Sequence, residues 1–515
     1  MPQTESTAAN NKRIAKNTLL LYFRMIFLMI ISLYTSRVVL STLGVESFGV
    51  YNVVGGIVSM LSFFNSSMAT STQRFLNFEM GKKDASALNK VFINAVNSHI
   101  LIAVLTVMAL ESVGLWFLYN KLVIPKEHID AALVVFHCSA ASLFISILST
   151  PYRASIIANE KMGIFAYFSI IEVVLNLIIV YLLIVIPYNK LAIYGVLTMF
   201  TSIVASFLNF QYCIRHFKEC RYILSIDVKL IKKLMLFSGW MLFGCLSDML
   251  SKQGVNILLN VFFGPIFNAA RGIAIQVQNA VNAFVANFMM AVRPQIIKSY
   301  SSGDYQHMYR LVFSSSKLSF YLLFLITTPI LLHTDFILNI WLKNVPEYCV
   351  LFTRLVLIEL LISSAYVPIA QINQASGNIR NYQLAISLIF LASFILTYVL
   401  FKIGFPAYST FLLSISLAII GLFVRVFILK HDNSFPAKQY LVKIMLPLVP
   451  IAAISLIPPI IVMLQLNTSF TSFLVVTLIG LISSISTIWL LGLDRAEKSI
   501  ITEKLIVLGN KLKRK

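Results

Sequence analysis

The sequence predicts an all-α polytopic membrane protein of about 14 transmembrane helices, arranged as two pseudo-symmetric six-helix lobes around a central cavity, with two further C-terminal helices. Three observations lead there. First, 58% of the 515 residues are hydrophobic and only 12% are charged, half the charge of a typical soluble domain, and mean hydropathy is +0.85. Second, apolar runs long enough to cross about 30 Å of hydrocarbon recur along the whole chain. Third, the positive charges alternate with the turns between those runs. A soluble globular domain, a disordered chain and a nucleic-acid-binding domain are excluded by hydrophobicity. Five cysteines in this length exclude a disulfide scaffold.

Taken in order, the predicted spans are 17–41, 46–70, 89–118, 129–150, 163–187, 191–213, 233–261, 265–292, 311–333, 349–371, 382–402, 407–428, 441–464 and 470–493. No signal peptide is expected, since the first apolar run is already span-length. With the N-terminus inside, 29 of the 41 Lys and Arg residues fall in inside segments and five (Lys121, Lys126, Lys190, Lys343 and Lys402) in outside turns. Both termini are therefore expected in the cytoplasm. Outside turns are too short for an extracellular catalytic domain. The predicted organisation is an N-terminal segment (1–16), an N-lobe of six spans (17–213), a basic amphipathic linker read as a surface helix (214–232), a C-lobe of six spans (233–428), spans thirteen and fourteen (429–493) and a basic tail (494–515).

An internal repeat supports the two lobes. Gly44 matches Gly264 where one span turns into the next, and Asp84 matches Asp304 in the following inside loop, both at an offset of 220. Pro151 and Pro368 match at the expected ends of the fourth and tenth spans, offset 217. An even number of spans separates the copies, so they share an orientation, as in a parallel repeat about the membrane normal.

Charges inside spans are costly, about 2.5–3.5 kcal/mol each at the bilayer centre, and so mark function. Lys317, Arg354 and Arg425 lie near span ends and are expected to snorkel. On the seventh span Asp248, Lys252, Asn256 and Asn260 recur every four residues, one polar stripe with an i,i+4 ion pair at its head. The eighth span repeats the theme with Arg271, Gln278 and Asn282, and the second carries Asn52 among glycines and serines. These faces suit a wetted cleft or tight small-residue packing. Arg24 and Arg37 sit on the first span, about 140° apart on a straight helix. With Asp248 paired to Lys252, the spare deep charges are arginines, whose planar forks suit phosphate oxygens. The predicted substrate-binding set is Arg24, Arg37, Asn52, Lys252, Asn256, Arg271, Gln278 and Asn282.

The stretch Thr35-Ser36-Arg37-Val38-Val39-Leu40-Ser41-Thr42-Leu43-Gly44-Val45-Glu46-Ser47-Phe48-Gly49-Val50-Tyr51 resembles the first-to-second-span signature of bacterial polysaccharide repeat-unit flippases. Ser71-Thr72-Gln73-Arg74-Phe75-Leu76, with Gly81 and Asp84, fits the same pattern. These O-antigen and capsule flippases belong to the multidrug/oligosaccharidyl-lipid/polysaccharide exporter superfamily. The sharp motif covers about 35–90; the likeness in topology runs from about 12 to 430. Fourteen spans also resemble the lipid II flippases. The resemblance implies a cavity lined by the first, second, seventh and eighth spans. It implies movement of undecaprenyl-diphosphate-linked oligosaccharide across the bacterial inner membrane by alternating access, with the diphosphate near Arg24, Arg37 and Arg271. Glycan polymerase and assembly proteins are the implied partners. No pattern matches the family's coupling-ion site; Asp248 and Glu172 are the candidates for it.

A cation-coupled multidrug antiporter of the same superfamily is the alternative, although deep arginines repel cationic drugs. An enzyme is not expected. His99, His128, His137, His216, His307, His333 and His431 show no metal spacing, and Cys138, Cys213, Cys220, Cys245 and Cys349 form no Cys-x-x-Cys. No phosphate-binding loop is present, and no metal or cofactor is expected.

Overall fold

The computed structural model describes residues 2–121, 124, 126–186, 189–223, 225–342, 345–433, 435–466, 469–494, 497, 498 and 502. The basic tail beyond these lies outside the described residues. All regular structure among them is helical. In chain order the α-helices are α1 (Pro2–Met60), α2 (Ser62–Lys82), α3 (Ala85–Ala109), α4 (Leu115–Lys121), α5 (Ile129–Ala158), α6 (Met162–Val185), α7 (Lys190–His216), α8 (Val228–Phe263) and α9 (Pro265–Ser301). They continue with α10 (Tyr305–Leu332), α11 (Thr334–Leu342), α12 (Cys349–Ser376), α13 (Arg380–Lys402), α14 (Ser409–Asn433), α15 (Ala437–Tyr440), α16 (Leu446–Gln465) and α17 (Phe470–Thr487). A π-helical turn, Leu110–Gly114, joins α3 to α4 into one long helix.

Thirteen helices among the described residues are long and apolar enough to cross a membrane, so the chain is a multi-pass membrane protein. The predicted second span, 46–70, is not among the thirteen. It is helical but divided between the end of α1 and the start of α2.

The repeat is written into the backbone. Gly44 (φ 79°) and Gly264 (φ 88°) both adopt positive φ where one helix bends into the next; at Gly44 ψ is 165°, a conformation open essentially to glycine alone. Asp84 and Asp304 both cap a following helix, accepting from Ala87 N (2.9 Å) and His307 N (3.0 Å). The residues before them, Lys83 (φ 60°) and Gly303 (φ 77°), are both left-handed. Pro151 and Pro368 both stand inside helices rather than at their ends. In lipid, neighbouring helices and side chains satisfy the backbone a proline frees, so α5 runs on to Ala158 and α12 to Ser376. Each run then turns through another left-handed residue, Glu160 (φ 58°) and Gly377 (φ 81°), again 217 apart.

The chain forms two compact units. Unit 1 comprises 1–246, 287–308 and 372–383; unit 2 comprises 247–286, 309–371 and 384–515. In unit 1 one buried cluster gathers Leu21, Phe75, Phe92, Phe165, Leu234, Ala291 and Ile379, and a second gathers Val54, Leu110, Phe136 and Ile147. The unit 2 cluster gathers Leu259, Ala274, Phe352 and Phe411.

The linker is not the surface helix expected. Residues 221–223 and 225–227 are non-helical, between a 3₁₀ turn (Lys218–Cys220) and α8. Asparagines of α3 strap the segment down. Asn89 donates to Glu219 O (2.8 Å) and Arg221 O (3.0 Å), Asn97 donates to Ser225 O (3.0 Å), and Asn94 accepts from Asp227 N (2.8 Å). Side-chain amides thus satisfy backbone groups that a helix would satisfy internally.

Lys317 does not snorkel. It is buried and held by Asp494 (2.9 Å) and Glu497 (2.7 Å), while Tyr321 donates to Gly492 O (3.2 Å), so the segment after α17 is pinned to α10. Arg354 pairs with Asp335 (3.2 Å) near the start of α11.

Candidate functional site

Unit 2 encloses a cavity of about 340 Å³ between α8, α9, α12, α13 and α14. Asp248, Ser251 and Lys252 of α8 enter it, with Arg271, Gln278, Asn279 and Asn282 of α9. The polar stripes read on the seventh and eighth spans therefore converge, because residues four apart share a helix face. The expected ion pair forms: Lys252 Nζ lies 2.8 Å from Asp248 Oδ2. Asn256 does not line the cavity; its Oδ1 accepts from Arg271 Nη1 at 3.3 Å and so steadies that guanidinium.

Two ionisable residues that the predicted set omits also line it. Glu359 of α12 lies in the fields of Lys252, Asp248 and Arg271. Arg425 of α14 was expected to snorkel, but it is buried, with its guanidinium 4.3 Å from the centre of the Tyr366 ring. Guanidinium over an aromatic face is a favourable way to hold a cation away from water. Gly421 leaves it room, since a Cβ there would lie 2.6 Å from Arg425 Nη1. Three cations thus face two carboxylates. Ser363, Ser393, Thr410 and Ser414 add neutral hydrogen-bonding groups, and Val255, Ile275, Phe390, Phe411 and Leu417 supply an apolar wall. The lining is thus part polar and part apolar, with more basic than acidic side chains.

Arg24 and Glu172 lie elsewhere, in unit 1. Arg24 stacks on Phe165 at 4.6 Å. Glu172 lines a small polar pocket between α5, α6 and α7, together with Arg153, Phe165, Ser149, Ser169, Ser202 and Asn209. The predicted span 129–150 leaves Arg153 in the inside loop after it. The helix continues through the proline and carries Arg153 into this pocket. Arg37 and Asn52 lie outside the residues whose side chains are described. Among the described residues no group of three or more His, Cys, Asp and Glu is placed to hold a metal ion.

No protein-family model matches the chain, and no curated protein matches it. In fold it is similar to solved transporters. One is a MATE protein in complex with MaD3S, at 14% identity and TM-score 0.69, covering 83% of this chain and 97% of that one. A second is a multidrug resistance MATE family transporter of the MOP superfamily in an outward-facing conformation, at 12% identity and TM-score 0.67, covering 81% of this chain and 94% of that one. A third is a MOP superfamily transporter from Pyrococcus furiosus, whose reversed binding-pocket polarity suggests a different function for it; identity is 14% and TM-score 0.64, covering 81% and 96%. The chain has the fold of the MATE transporters of the MOP superfamily.

Proposed function

We propose that this protein is a transporter, not an enzyme, and that it moves an undecaprenyl-diphosphate-linked polysaccharide repeat unit across the bacterial inner membrane by alternating access, with both termini in the cytoplasm. The observation that carries the reading is the lining of the unit 2 cavity, where Lys252, Arg271 and Arg425 outnumber Asp248 and Glu359. A charge in a membrane cavity is retained only where it has work to do, and arginine forks match phosphate oxygens. The amides and hydroxyls around them suit sugar hydroxyls, and the apolar wall suits the start of a polyprenyl tail. In this reading Arg271, steadied by Asn256, binds the diphosphate; Lys252, Gln278 and Asn282 line its path; and Arg24, Arg37 and Asn52 of unit 1 are further candidate substrate-binding residues. Asp248 is the candidate for ion coupling in unit 2, and Glu172 in unit 1. A lipid II-type substrate shares the polyprenyl diphosphate and differs in what that diphosphate carries. Glycan polymerase and assembly proteins are the partners such a reaction implies.

The second reading is a cation-coupled multidrug antiporter. It is favoured by the two cavity carboxylates, Asp248 and Glu359, and by the fold shared with a multidrug resistance transporter. The two separate in proteoliposomes. A labelled undecaprenyl-diphosphate oligosaccharide is expected to become accessible in the far leaflet, with no efflux of a cationic dye. Dye efflux without glycolipid movement overturns the flippase reading.

A further inference from the structure

Within unit 1, α2 closes on the parts of α8, α9 and α12 that belong to the same unit, largely through polar groups. Ser67 and Ser71 donate to Ser238 O (2.7 Å) and Leu234 O (3.3 Å) of α8. Arg74 donates to Gln374 O (3.0 Å) and Ala375 O (2.8 Å) near the end of α12. Gly81 lies against Ser301 and the Lys298 carbonyl near the end of α9. Phe75 also meets Phe237 edge to face, with ring centroids 5.8 Å apart. Bonds from side chains to carbonyls hold a closed interface, yet water replaces each partner at small net cost when the surfaces part.

The same interface buries amides that it does not satisfy. Asn77 shares a face of α2 with Arg74 and Gly81, one helical turn from each. It is 0% exposed, and neither its Nδ2 nor its Oδ1 has a hydrogen-bond partner. Asn373 precedes the Gln374 carbonyl that Arg74 grips, and it too is 0% exposed with Nδ2 and Oδ1 unmet. Gln73 Nε2 and Gln374 Oε1 are orphaned as well. Buried polar atoms are rarely left without partners, and an amide enclosed in this way is penalised where an aliphatic side chain of similar size is not. Four such side chains together break the rules of a permanent core, as residues kept for function do.

We propose that this interface is a gate of the transporter: α2 parts from the ends of α9 and α12 during transport, and Gln73, Asn77, Asn373 and Gln374 then line the opened path. Water and the carried molecule satisfy the amides in that state, which offsets their penalty in the closed one. Such a gate rests on the alternating-access reading and not on which molecule is carried.

The test is labelling of Asn77→Cys in the purified full-length protein by a small water-soluble maleimide, with modification read position by position by peptide mass spectrometry. Cys213 and Cys220 are fully buried in the core cluster of unit 1 that holds Phe75 and Leu76, so they report local unfolding in the same sample. Position 77 is expected to be modified while Cys213 and Cys220 stay unmodified. Adding Glu160→Gln, which loosens the neighbouring clasp on Lys298 and Gln295, is expected to raise the rate at 77 several-fold. No modification at 77 in either background overturns the proposal. Modification at 77 no faster than at Cys213 and Cys220 marks unfolding in place of gating and overturns it equally. If Asn77→Cys does not fold, Asn373→Cys carries the same test with the same outcomes. Movement of glycolipid between leaflets is measured separately on the unaltered protein, so the gate and the flippase reading can each fail alone.

Discussion

Lys298 Nζ lies 2.7 Å from Glu160 Oε1, joining α9 to the turn that follows α5, 138 residues away in the chain. Glu160 is almost wholly buried and also accepts from Gln295 (2.6 Å) and Arg13 (2.7 Å). The repeat makes a mirror of this arrangement. Arg74, on α2, donates to Gln374 O (3.0 Å) and Ala375 O (2.8 Å) at the C-terminal end of α12, just before the turn at Gly377. α2 and α9 are repeat equivalents, and so are the turns at Glu160 and Gly377. Within unit 1 each repeat's helix therefore grips the other repeat's turn. One grip uses an ion cluster; the other uses an arginine on carbonyls, stacked 4.5 Å from the Phe75 ring and pressed on Gly377, where a Cβ would lie 2.5 Å from Arg74 Nη2.

Removing the carboxylate leaves Lys298 and Gln295 without their acceptor in a buried place. Breaking a buried pair from one side costs about 3–5 kcal/mol. Lys298 and Arg13 are both partly exposed, so Glu160→Ala is expected at or below the lower end. Thermal unfolding in detergent should show a midpoint several degrees lower. Glu160→Gln, which keeps acceptor capacity, should lose less.

Gly81 presses against Ser301, its own repeat equivalent. A Cβ at 81 would overlap Ser301 Oγ and lie 2.5 Å from Lys298 O. Overpacking of this kind costs about 1–3 kcal/mol. Gly81→Ala should lower the unfolding midpoint, and adding Ser301→Ala should restore only part of it, because the Lys298 carbonyl remains.

The bend at Gly44 has open space around it, so a methyl group there meets nothing within 4 Å. Any cost of Gly44→Ala is then backbone strain, about 1–3 kcal/mol for this region of φ and ψ. Gly264→Ala is expected to behave alike, since its φ is also positive and its surroundings are also open. Thermal unfolding of the two single variants checks this. A neutral Gly44→Ala would show that the bend relaxes.

Lys317 holds the segment after α17 through Asp494 and Glu497. In Lys317→Met the two carboxylates lose their shared counter-charge and the segment should detach. Limited trypsin digestion should then cut at Arg495 and Lys498 markedly faster than in the unaltered protein.

Local spacing made part of this legible. Asp248 and Lys252 announce an i,i+4 pair on one helix face, and the offsets Gly44–Gly264, Asp84–Asp304 and Pro151–Pro368 announce the repeat before any coordinates. What depends on tertiary packing was not legible. Glu359 and Arg425 join the unit 2 cavity because α12 and α14 pack against α8 and α9, and no spacing relates four helices so far apart in sequence. Arg153 was misplaced because a proline reads as a helix end in water but not within a membrane bundle. The linker was misread because amphipathic periodicity carries no sign of the α3 asparagines that claim its backbone.

Arg271 is the residue on which the transport account turns. Binding of a soluble-chain prenyl-diphosphate oligosaccharide to the purified protein, compared between the native residue and Arg271→Gln, tests it most directly. Charge-assisted hydrogen bonds to phosphate are worth roughly 1.5–3 kcal/mol, so affinity is expected to fall about tenfold to a hundredfold, with Arg271→Lys intermediate and the unfolding midpoint little changed. Equal affinity in the native protein and Arg271→Gln would contradict the account.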